Sequence, residues 1–324
     1  MVTATATLGG TASNVKVGRI AHGLMNMTWT PNPAPDEQCF EAIKAAVDAL
    51  PPGVKMVLNS GEFYAQDWGT GNLQLLSRFY AKYPDYAEKT FLSVKGGVKN
   101  RGPDCSIENL RASIDNIQSA LGPIKKVDLF EPARVDSRIP IEKQMENLVT
   151  LLKEGKFDHI GLSECNADTL RRAHAVSAEI EVSPWSYDEN QKKVIETSKE
   201  LGISIMAYSP LGRGFLTGQI KSSSDIPDEI MNHNWAIVEA LKAVADQVGC
   251  TPAQLCLAWV ASLGPHVIPL PGSAKASRIL ENLEAGDLEL SSADLSKVNA
   301  IIETAEIKGD RYYGLTDEEA HLWR

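Results

Sequence analysis

Short apolar segments alternate with amphipathic helical patterns through most of this 324-residue chain, and few folds accommodate that order of elements. Eight of the apolar segments are rich in β-branched and aliphatic residues, as buried parallel strands are. The predicted strands cover residues 19–25, 55–59, 90–95, 127–133, 159–163, 180–185, 204–209 and 267–271. Between them, apolar residues recur at helical spacing, most clearly over 110–121 and 141–152.

Eight strand–helix units in roughly 270 residues predict an α/β fold, a (β/α)8 TIM barrel formed by a single domain. The predicted barrel covers about residues 18–303, including a closing helix over 291–304, and a polar tail follows over 305–324. The tail either folds over the barrel mouth or frays. The main alternative is a doubly wound open sheet. Such sheets carry a glycine-rich fingerprint after the first strand, whereas this turn reads GLMNMTW.

Composition restricts the partners and the compartment. The chain has 32 basic and 42 acidic residues, a net charge of −10, and no Lys/Arg-rich block, so neither nucleic acid nor a membrane surface is expected as a partner. Five scattered cysteines without a C-x-x-C pair predict no metal site and no disulfide framework. The chain also lacks a long apolar run and a secretion signal. We therefore expect a cytoplasmic protein; the oligomeric state stays open, with a monomer favoured.

Two candidate catalytic residues follow neighbouring predicted strands. Tyr64 comes just after the second strand and Lys95 ends the third, and chemistry in such barrels takes place at the carboxyl ends of the strands. A buried lysine is costly unless its charge is used. A neighbouring ammonium lowers the pKa of a phenol, so the pair predicts a proton donor for use near neutral pH. The alternative is a lysine whose amine reaches solvent.

The loops after the seventh and eighth strands suit a phosphate group. The first reads SPLGRGFLTG, without the spacing of a Walker loop or of G-x-G-x-x-G. Barrels of this type nevertheless hold phosphate there, with backbone N–H groups and a helix start. The second loop adds Ser273, Lys275 and Arg278, and two cations suit the extra phosphate that separates NADP from NAD. The alternative is a flexible turn with solvated charges.

Taken together, these segments resemble the aldo-keto reductase family from about residue 18 to residue 303. Six ordered segments carry the resemblance: NSGEFY, LSVKG, KVDLFEPARVD, IGLSECNADTLRRAHAV, AYSPLGRGFLTG and PGSAKASRILENL. The combination of NSGEFY with LFEPARVD resembles the pyridoxal reductase branch of fungi.

The resemblance implies a role for each matching residue. Tyr64 would be the general acid, Lys95 its electrostatic partner, and Asn59 would stand in the position of the family's aspartate. NADPH is the implied cofactor, and the residues implied to bind it are Gly23, Met25, Ser163, Glu179, Tyr208, Ser209, Leu211, Gly212, Gly214, Gly272, Ser273, Lys275, Arg278, Glu281 and Asn282. The residues implied to line the substrate pocket are Trp29, Phe63, Trp68, Ala133 and Arg134.

Four positions depart from the family pattern. Asn59 replaces an aspartate, Ala133 replaces a histidine, and Glu179 and Glu164 replace the glutamine and asparagine that hold the nicotinamide carboxamide. Loss of one polarising donor costs roughly 10²–10³ in turnover by analogy with oxyanion holes, which predicts a slow enzyme. Because alternate residues of a strand share a face, Glu131 is a candidate to pair with Lys95 in place of the aspartate, unless it faces outward.

The expected function is NADPH-dependent reduction of an aldehyde to an alcohol, with pyridoxal, a vitamin B6 aldehyde, as the substrate. The aromatic residues at the predicted rim suit a planar aromatic substrate. Two alternatives stay open: a general aryl-aldehyde or ketone reductase, and a weakly catalytic NADPH-binding barrel that serves as a regulatory partner. The substitutions at 59 and 133 favour the second alternative, whereas the retained tyrosine and lysine argue against it.

Overall fold

A barrel of parallel strands surrounded by helices forms the body of the molecule. The computed structural model describes residues 1–173, 177–218, 228–309, 311–312 and 315–324. Numbered along these residues, the strands are β1 (Thr5–Thr7), β2 (Lys16–Gly18), β3 (His22–Gly23), β4 (Met56–Gly61), β5 (Thr90–Gly96), β6 (Val98–Lys99), β7 (Gly102–Pro103), β8 (Leu129–Pro132), β9 (His159–Ser163), β10 (Ser177–Glu181), β11 (Ser204–Tyr208) and β12 (Val267–Leu270).

The helices follow the strands in alternation. Along the described residues they are α1 (Met25–Thr28), α2 (Asp36–Asp48), α3 (Gly71–Lys82), α4 (Ile107–Leu121), α5 (Ile141–Lys153), α6 (Ala167–Ala173), α7 (Glu189–Leu201), α8 (Asp228–Val248), α9 (Pro252–Ser262), α10 (Ala276–Glu284) and α11 (Ser292–Thr304). Within the same residues, none of these helices combines the length and the apolar character needed to cross a bilayer.

The sheet runs in the order β12-β11-β10-β9-β8-β5-β4-β3, with every neighbouring pair parallel. Its two edges meet, because Gly23 forms a parallel bridge with Gly272 and the Gly23 amide donates to the Pro271 carbonyl at 2.9 Å. A closed barrel has no free strand edge. The predicted (β/α)8 barrel is therefore confirmed, and the open-sheet alternative is wrong.

All eight predicted barrel strands are present, and one of them is displaced along the sequence. Strand β10 covers Ser177–Glu181, whereas the pattern predicts 180–185. Glu179 and Glu181 give this segment the look of a solvent-facing stretch, but both side chains are buried. Two short hairpins, β1–β2 and β6–β7, are not apparent from the sequence pattern. The predicted closing helix forms as α11, capped by the Ser291 hydroxyl.

Apolar side chains close one end of the barrel, and the C-terminal tail covers the other. Under the hairpin β1–β2, buried residues such as Leu8, Val17 and Phe91 pack into one cluster at the amino ends of the strands. At the carboxyl ends, the Asn166 side-chain amide donates to the Trp323 carbonyl at 2.9 Å. The described residues of the tail therefore fold over the barrel mouth, which is the first of the two alternatives that the sequence left open.

Candidate active site

Tyr64 and Lys95 meet at the carboxyl ends of strands β4 and β5. The Lys95 Nζ donates to the Tyr64 hydroxyl at 3.0 Å, and both side chains are buried. The tyrosine ring lies directly over Gly61, where a Cβ would come within 2.8 Å of it. The Thr28 hydroxyl holds the Tyr64 carbonyl from the other side, at 2.6 Å. A glycine at the strand end and a hydrogen bond from the Thr28 side chain thus set the position of the tyrosine.

The hydrogen bonds of Lys95 determine which way the Tyr64 proton points. An ammonium has three donors and no acceptor. Its three partners are the Tyr64 hydroxyl, the Asn59 Oδ1 at 2.9 Å and the Glu179 Oε1 at 2.5 Å. The phenol oxygen therefore accepts from Lys95, and its own O–H is left to donate elsewhere. That proton is available for a carbonyl oxygen placed over Tyr64.

The carboxylate that pairs with Lys95 is Glu179, on strand β10. The predicted pairing of Lys95 with Glu131 is wrong in its partner, although Glu131 does face inward and is buried. The Asn59 Nδ2 lies between the two acids and donates to Glu179 Oε2 at 2.7 Å and to Glu131 Oε1 at 3.1 Å. The Ser93 hydroxyl adds a donor to Glu131 at 3.0 Å. Glu131 thus lies one side chain away from the lysine.

Burial and these contacts set the ionisation of the cluster. Burial alone would lower the pKa of Lys95, but Glu179 and the neighbouring Tyr64 and Glu131 outweigh it and raise that pKa. Burial, and then the charge of Glu179, raise the pKa of Glu131 to about 8. The cluster therefore favours the charged ammonium of Lys95 and disfavours the ionised form of Glu131.

The pKa of Tyr64 departs from the sequence expectation. Lys95 lowers it, as expected, but burial raises it more and Glu179 adds to the increase, so the net direction is upward. The expectation of a net lowered pKa is wrong because it ignores the cost of burying a phenolate. The consequence is a phenol that stays protonated at neutral pH and acts as a donor rather than as a base.

Aromatic rings surround the Tyr64 hydroxyl on one side of the mouth. The ring of Trp29 lies 5.7 Å from that of Tyr64, and Phe63 meets the same tyrosine edge to face at 5.4 Å. Trp68 stacks on Phe63 at 5.9 Å and contacts Trp29 at 5.1 Å. Arg101, at the tip of the hairpin β6–β7, lies 5.4 Å over Trp68. The sequence predicted the rings at one rim; Arg101 came from a hairpin that it did not predict.

A second group of predicted residues lines the ends of β9 and β11. The Ser163 hydroxyl, at the end of β9, is buried and has no hydrogen-bond partner among the residues that the structure describes. Tyr208 ends β11, and Ser209 follows in a left-handed conformation (φ 49°) that turns the chain sharply. Gly212 and Gly214 also have positive φ, in the short 3₁₀ segment Gly212–Thr217 that begins after Leu211. An unpartnered hydroxyl beside a half-buried aromatic ring suits a planar amide such as nicotinamide.

The remaining predicted cofactor residues lie at the start of helix α10 and beside the barrel seam. The Ser273 hydroxyl accepts from the Lys275 amide at 3.1 Å, and Lys275 is the N-cap position of the helix. Arg278 follows on the first turn and is exposed. Glu281, half-buried, and Asn282, buried, lie further along the helix, while Gly23, Met25 and Gly272 lie at the closure of the barrel. Two cations at a helix start favour a phosphate group.

Arg311 in the tail is a prominent residue of the mouth that sequence reasoning did not identify. Its guanidinium makes two bonds to Glu164 (2.6 and 3.0 Å) and one to Glu181 (2.5 Å). It also donates to the Tyr208 hydroxyl at 2.9 Å. The only hint in the sequence is a pair of acidic residues, at strand ends, without a nearby basic residue.

The tail also reaches the substrate side of the mouth. Arg134 donates to the Tyr312 hydroxyl at 3.2 Å and to the Ala320 carbonyl at 3.1 Å. Ala133, which precedes it at the end of β8, is buried and brings no donor to the pocket. The tail therefore holds Arg134 on one side and Tyr208 on the other.

Comparison with known proteins shows which proteins this chain is similar to. A sequence model of the aldo/keto reductase family matches residues 19–303. A probable pyridoxal reductase 2 of Schizosaccharomyces pombe is 34% identical over 320 residues, which is 92% of this chain and 95% of the relative. A putative pyridoxal reductase of Saccharomyces cerevisiae is 34% identical, over 90% of this chain and 94% of the relative. Aldo-keto reductase str7 of Strobilurus tenacellus is 37% identical, over 68% of this chain and 71% of the relative.

Proposed function

The chain belongs to the aldo/keto reductase family, and from that membership we propose that it reduces an aldehyde to an alcohol with NADPH, with pyridoxal as the substrate. The observation that carries the proposal is the contact between Tyr64 and Lys95. A buried phenol accepts a hydrogen bond from an ammonium at the carboxyl end of the barrel, and its proton is free to be donated. Protonation of a developing alkoxide needs such a donor.

The residues around this pair fit a reduced dinucleotide. The unpartnered Ser163 hydroxyl supports binding of the carboxamide, and the Tyr208 ring offers a face for the nicotinamide. Lys275 and Arg278, at the start of α10, support binding of the additional phosphate of NADPH. When bound, the dinucleotide supplies the hydride. Tyr64 then gives its proton to the carbonyl oxygen, while Lys95 stabilises the negative charge that develops on the phenol oxygen.

The ring cluster supports an aromatic aldehyde as the substrate class. Trp29, Phe63 and Trp68 form a half-open apolar wall beside the Tyr64 hydroxyl, and such walls favour planar ligands. Two of the relatives are named as pyridoxal reductases, and pyridoxal is a planar aromatic aldehyde. The substrate proposal rests on both observations.

The experiment is NADPH oxidation with pyridoxal, nitrobenzaldehyde and simple ketones, in the wild type and in Tyr64→Phe. We expect pyridoxal to give the highest kcat/KM, and the substitution to lower turnover by about 10²–10⁴ with little change in NADPH affinity. Tyr80→Phe is the matched control, because Tyr80 is also buried and lies in helix α3, where its hydroxyl bonds the Thr90 hydroxyl. Equal turnover in wild type and Tyr64→Phe would refute the assigned acid.

A second candidate function is a weakly catalytic NADPH-binding barrel. Two observations favour it: Ala133 offers no polarising donor, and Arg311 ties the tail to Tyr208 across the mouth. NADPH binding without turnover on the whole panel would support this candidate. A uniform rate over all aryl aldehydes and ketones would instead indicate a general reductase.

A further inference from the structure

We propose that Glu179 is the positioning residue of this active site: its carboxylate, reaching across the barrel from β10, keeps Lys95 charged and aimed at Tyr64. The proposal rests on the proposed reductase function and assigns to Glu179 a role other than cofactor binding. It also explains how the site works with a neutral side chain, Asn59, beside the lysine.

The first support is the geometry of the ion pair. The Lys95 Nζ lies 2.5 Å from Glu179 Oε1, and both side chains are almost fully buried, at 9% and 1% exposure. Among the described residues, Glu179 is the one carboxylate in a salt bridge with Lys95. An ammonium at this depth would lose its proton readily if it lacked a counter-ion.

The second support is that Asn59 links the lysine to Glu179 without carrying charge. The Asn59 Oδ1 accepts from Lys95, and its Nδ2 donates to Glu179 Oε2 at 2.7 Å. Lys95 can only donate and a carboxylate can only accept, so one orientation of the amide satisfies both. The Asn59 amide and the Glu179 carboxylate are in direct contact. A variant with the carboxylate at position 59 and the amide at position 179 would therefore keep the net charge and nearly the same set of atoms.

The third support separates Glu179 from the other buried acid. Glu131 contacts Asn59 and Ser93 but forms no salt bridge with Lys95. The titratable groups that act on Lys95 are Tyr64, in the loop after β4, Glu131, on β8, and Glu179, on β10. Glu131 is linked to Lys95 through the Asn59 amide, and burial and the charge of Glu179 disfavour its ionised form by raising its pKa. A glutamine at 131 therefore leaves the ion pair of Lys95 in place, whereas a glutamine at 179 removes it.

The first experiment needs no activity. Lysine labelled with carbon-13 is introduced into the protein without cofactor, and the Lys95 resonance, assigned by its loss in Lys95→Met, is titrated with pH. We expect Lys95 of the wild type to stay charged up to the highest pH at which the protein remains folded, Glu179→Gln to bring its titration into that range, and Glu131→Gln to have a smaller effect. No Lys95 titration in folded Glu179→Gln over the same pH range would overturn the proposal.

The second experiment measures turnover. We expect Glu179→Gln to lower kcat by about 100-fold at neutral pH, with NADPH affinity nearly unchanged and a new loss of rate as pH rises. We expect Glu131→Gln to keep a kcat at least about 10-fold higher than that of Glu179→Gln. In the exchange variant Asn59→Asp/Glu179→Gln the carboxylate is restored one contact away, and at least about 10-fold of the lost rate should return.

The outcomes separate this proposal from its alternatives. If Glu179 instead held the nicotinamide carboxamide, glutamine would serve at least as well, and Glu179→Gln would keep its rate and bind NADPH as tightly or tighter. If Glu179 had only a structural role, the exchange variant would not recover. A wild type with no reductase activity would contradict the proposed function, and the lysine titration would still decide the role of Glu179.

Discussion

Arg311→Ala gives the sharpest test of the tail, because the residue joins two buried acids that no other described cation contacts. The side chain of Arg311 is 13% exposed, while those of Glu164 and Glu181 are 0% and 4% exposed. Removing one partner of a buried ion pair typically costs about 3–5 kcal/mol, since the remaining charge stays buried without compensation. The expected loss of free energy of unfolding is therefore of that order.

The size of the chain converts this loss into a temperature shift. An unfolding entropy of about 2.1 cal/mol/K per residue implies that 1 kcal/mol lowers Tm by about 1.5 °C in a chain of this length. Arg311→Ala should thus lower Tm by about 4–7 °C, measured by circular dichroism at a fixed scan rate and pH 8. The matched control is Arg172→Ala, because Arg172 makes the same two-bond contact with Glu142 on the exposed surface. That control should change Tm little.

The loss should also depend on pH, with a definite sign. Burial raises the pKa of Glu181, and Arg311 opposes that increase. Without Arg311 the folded-state pKa of Glu181 rises further. The loss of stability relative to the wild type is therefore complete above the pKa of the variant, and it fades as pH falls toward the folded-state pKa of the wild type. The difference in Tm between wild type and Arg311→Ala should therefore be smaller at pH 5 than at pH 8. A Tm within 1 °C of the wild type at pH 8 would refute the reasoning, because the tail would then contribute no buried ion pair.

Three further predictions concern the site itself. The folded-state pKa of Glu131 is raised to about 8. As pH rises from 5 to 8, the wild type should therefore lose free energy of unfolding relative to Glu131→Gln, by up to about 1.4 kcal/mol per pH unit. Urea unfolding at each pH measures this, and parallel curves of unfolding free energy against pH would contradict it. Lys275→Ala/Arg278→Ala should raise KM for NADPH by about 10–100-fold and leave KM for NADH nearly unchanged, and equal effects on both would exclude a phosphate site there. Trp29→Ala should lower kcat/KM for pyridoxal by about 10-fold, with little effect on a small aliphatic aldehyde; equal losses on both would remove Trp29 from the substrate site.

The parts of the molecule that the sequence predicts are those whose physical cause is local. Buried parallel strands are short apolar runs, and β9 is predicted with the bounds that the structure has. Tyr64 and Lys95 could be brought together because each follows a neighbouring strand, and neighbouring strand ends of a barrel are adjacent in space. The contact of Arg311 with Glu164 joins residues 147 positions apart, and no local pattern carries that information.

Glu179 is a different case, because a rule of barrel packing would have located its contact. Inward side chains of alternate strands share a layer in such barrels. Counted from β3, the residues Asn59, Glu131 and Glu179 lie on the second, fourth and sixth barrel strands, and the Asn59 amide indeed contacts both acids. Lys95, on the third strand, meets this layer from the side. A carboxylate on any of these even strands is then a candidate partner for the lysine. The carboxylate that is absent at position 59 is supplied by Glu179, which contacts both Asn59 and Lys95. Comparing position 59 alone with the aspartate of the family therefore suggests that Lys95 lacks a counter-ion, whereas in the folded barrel it has one.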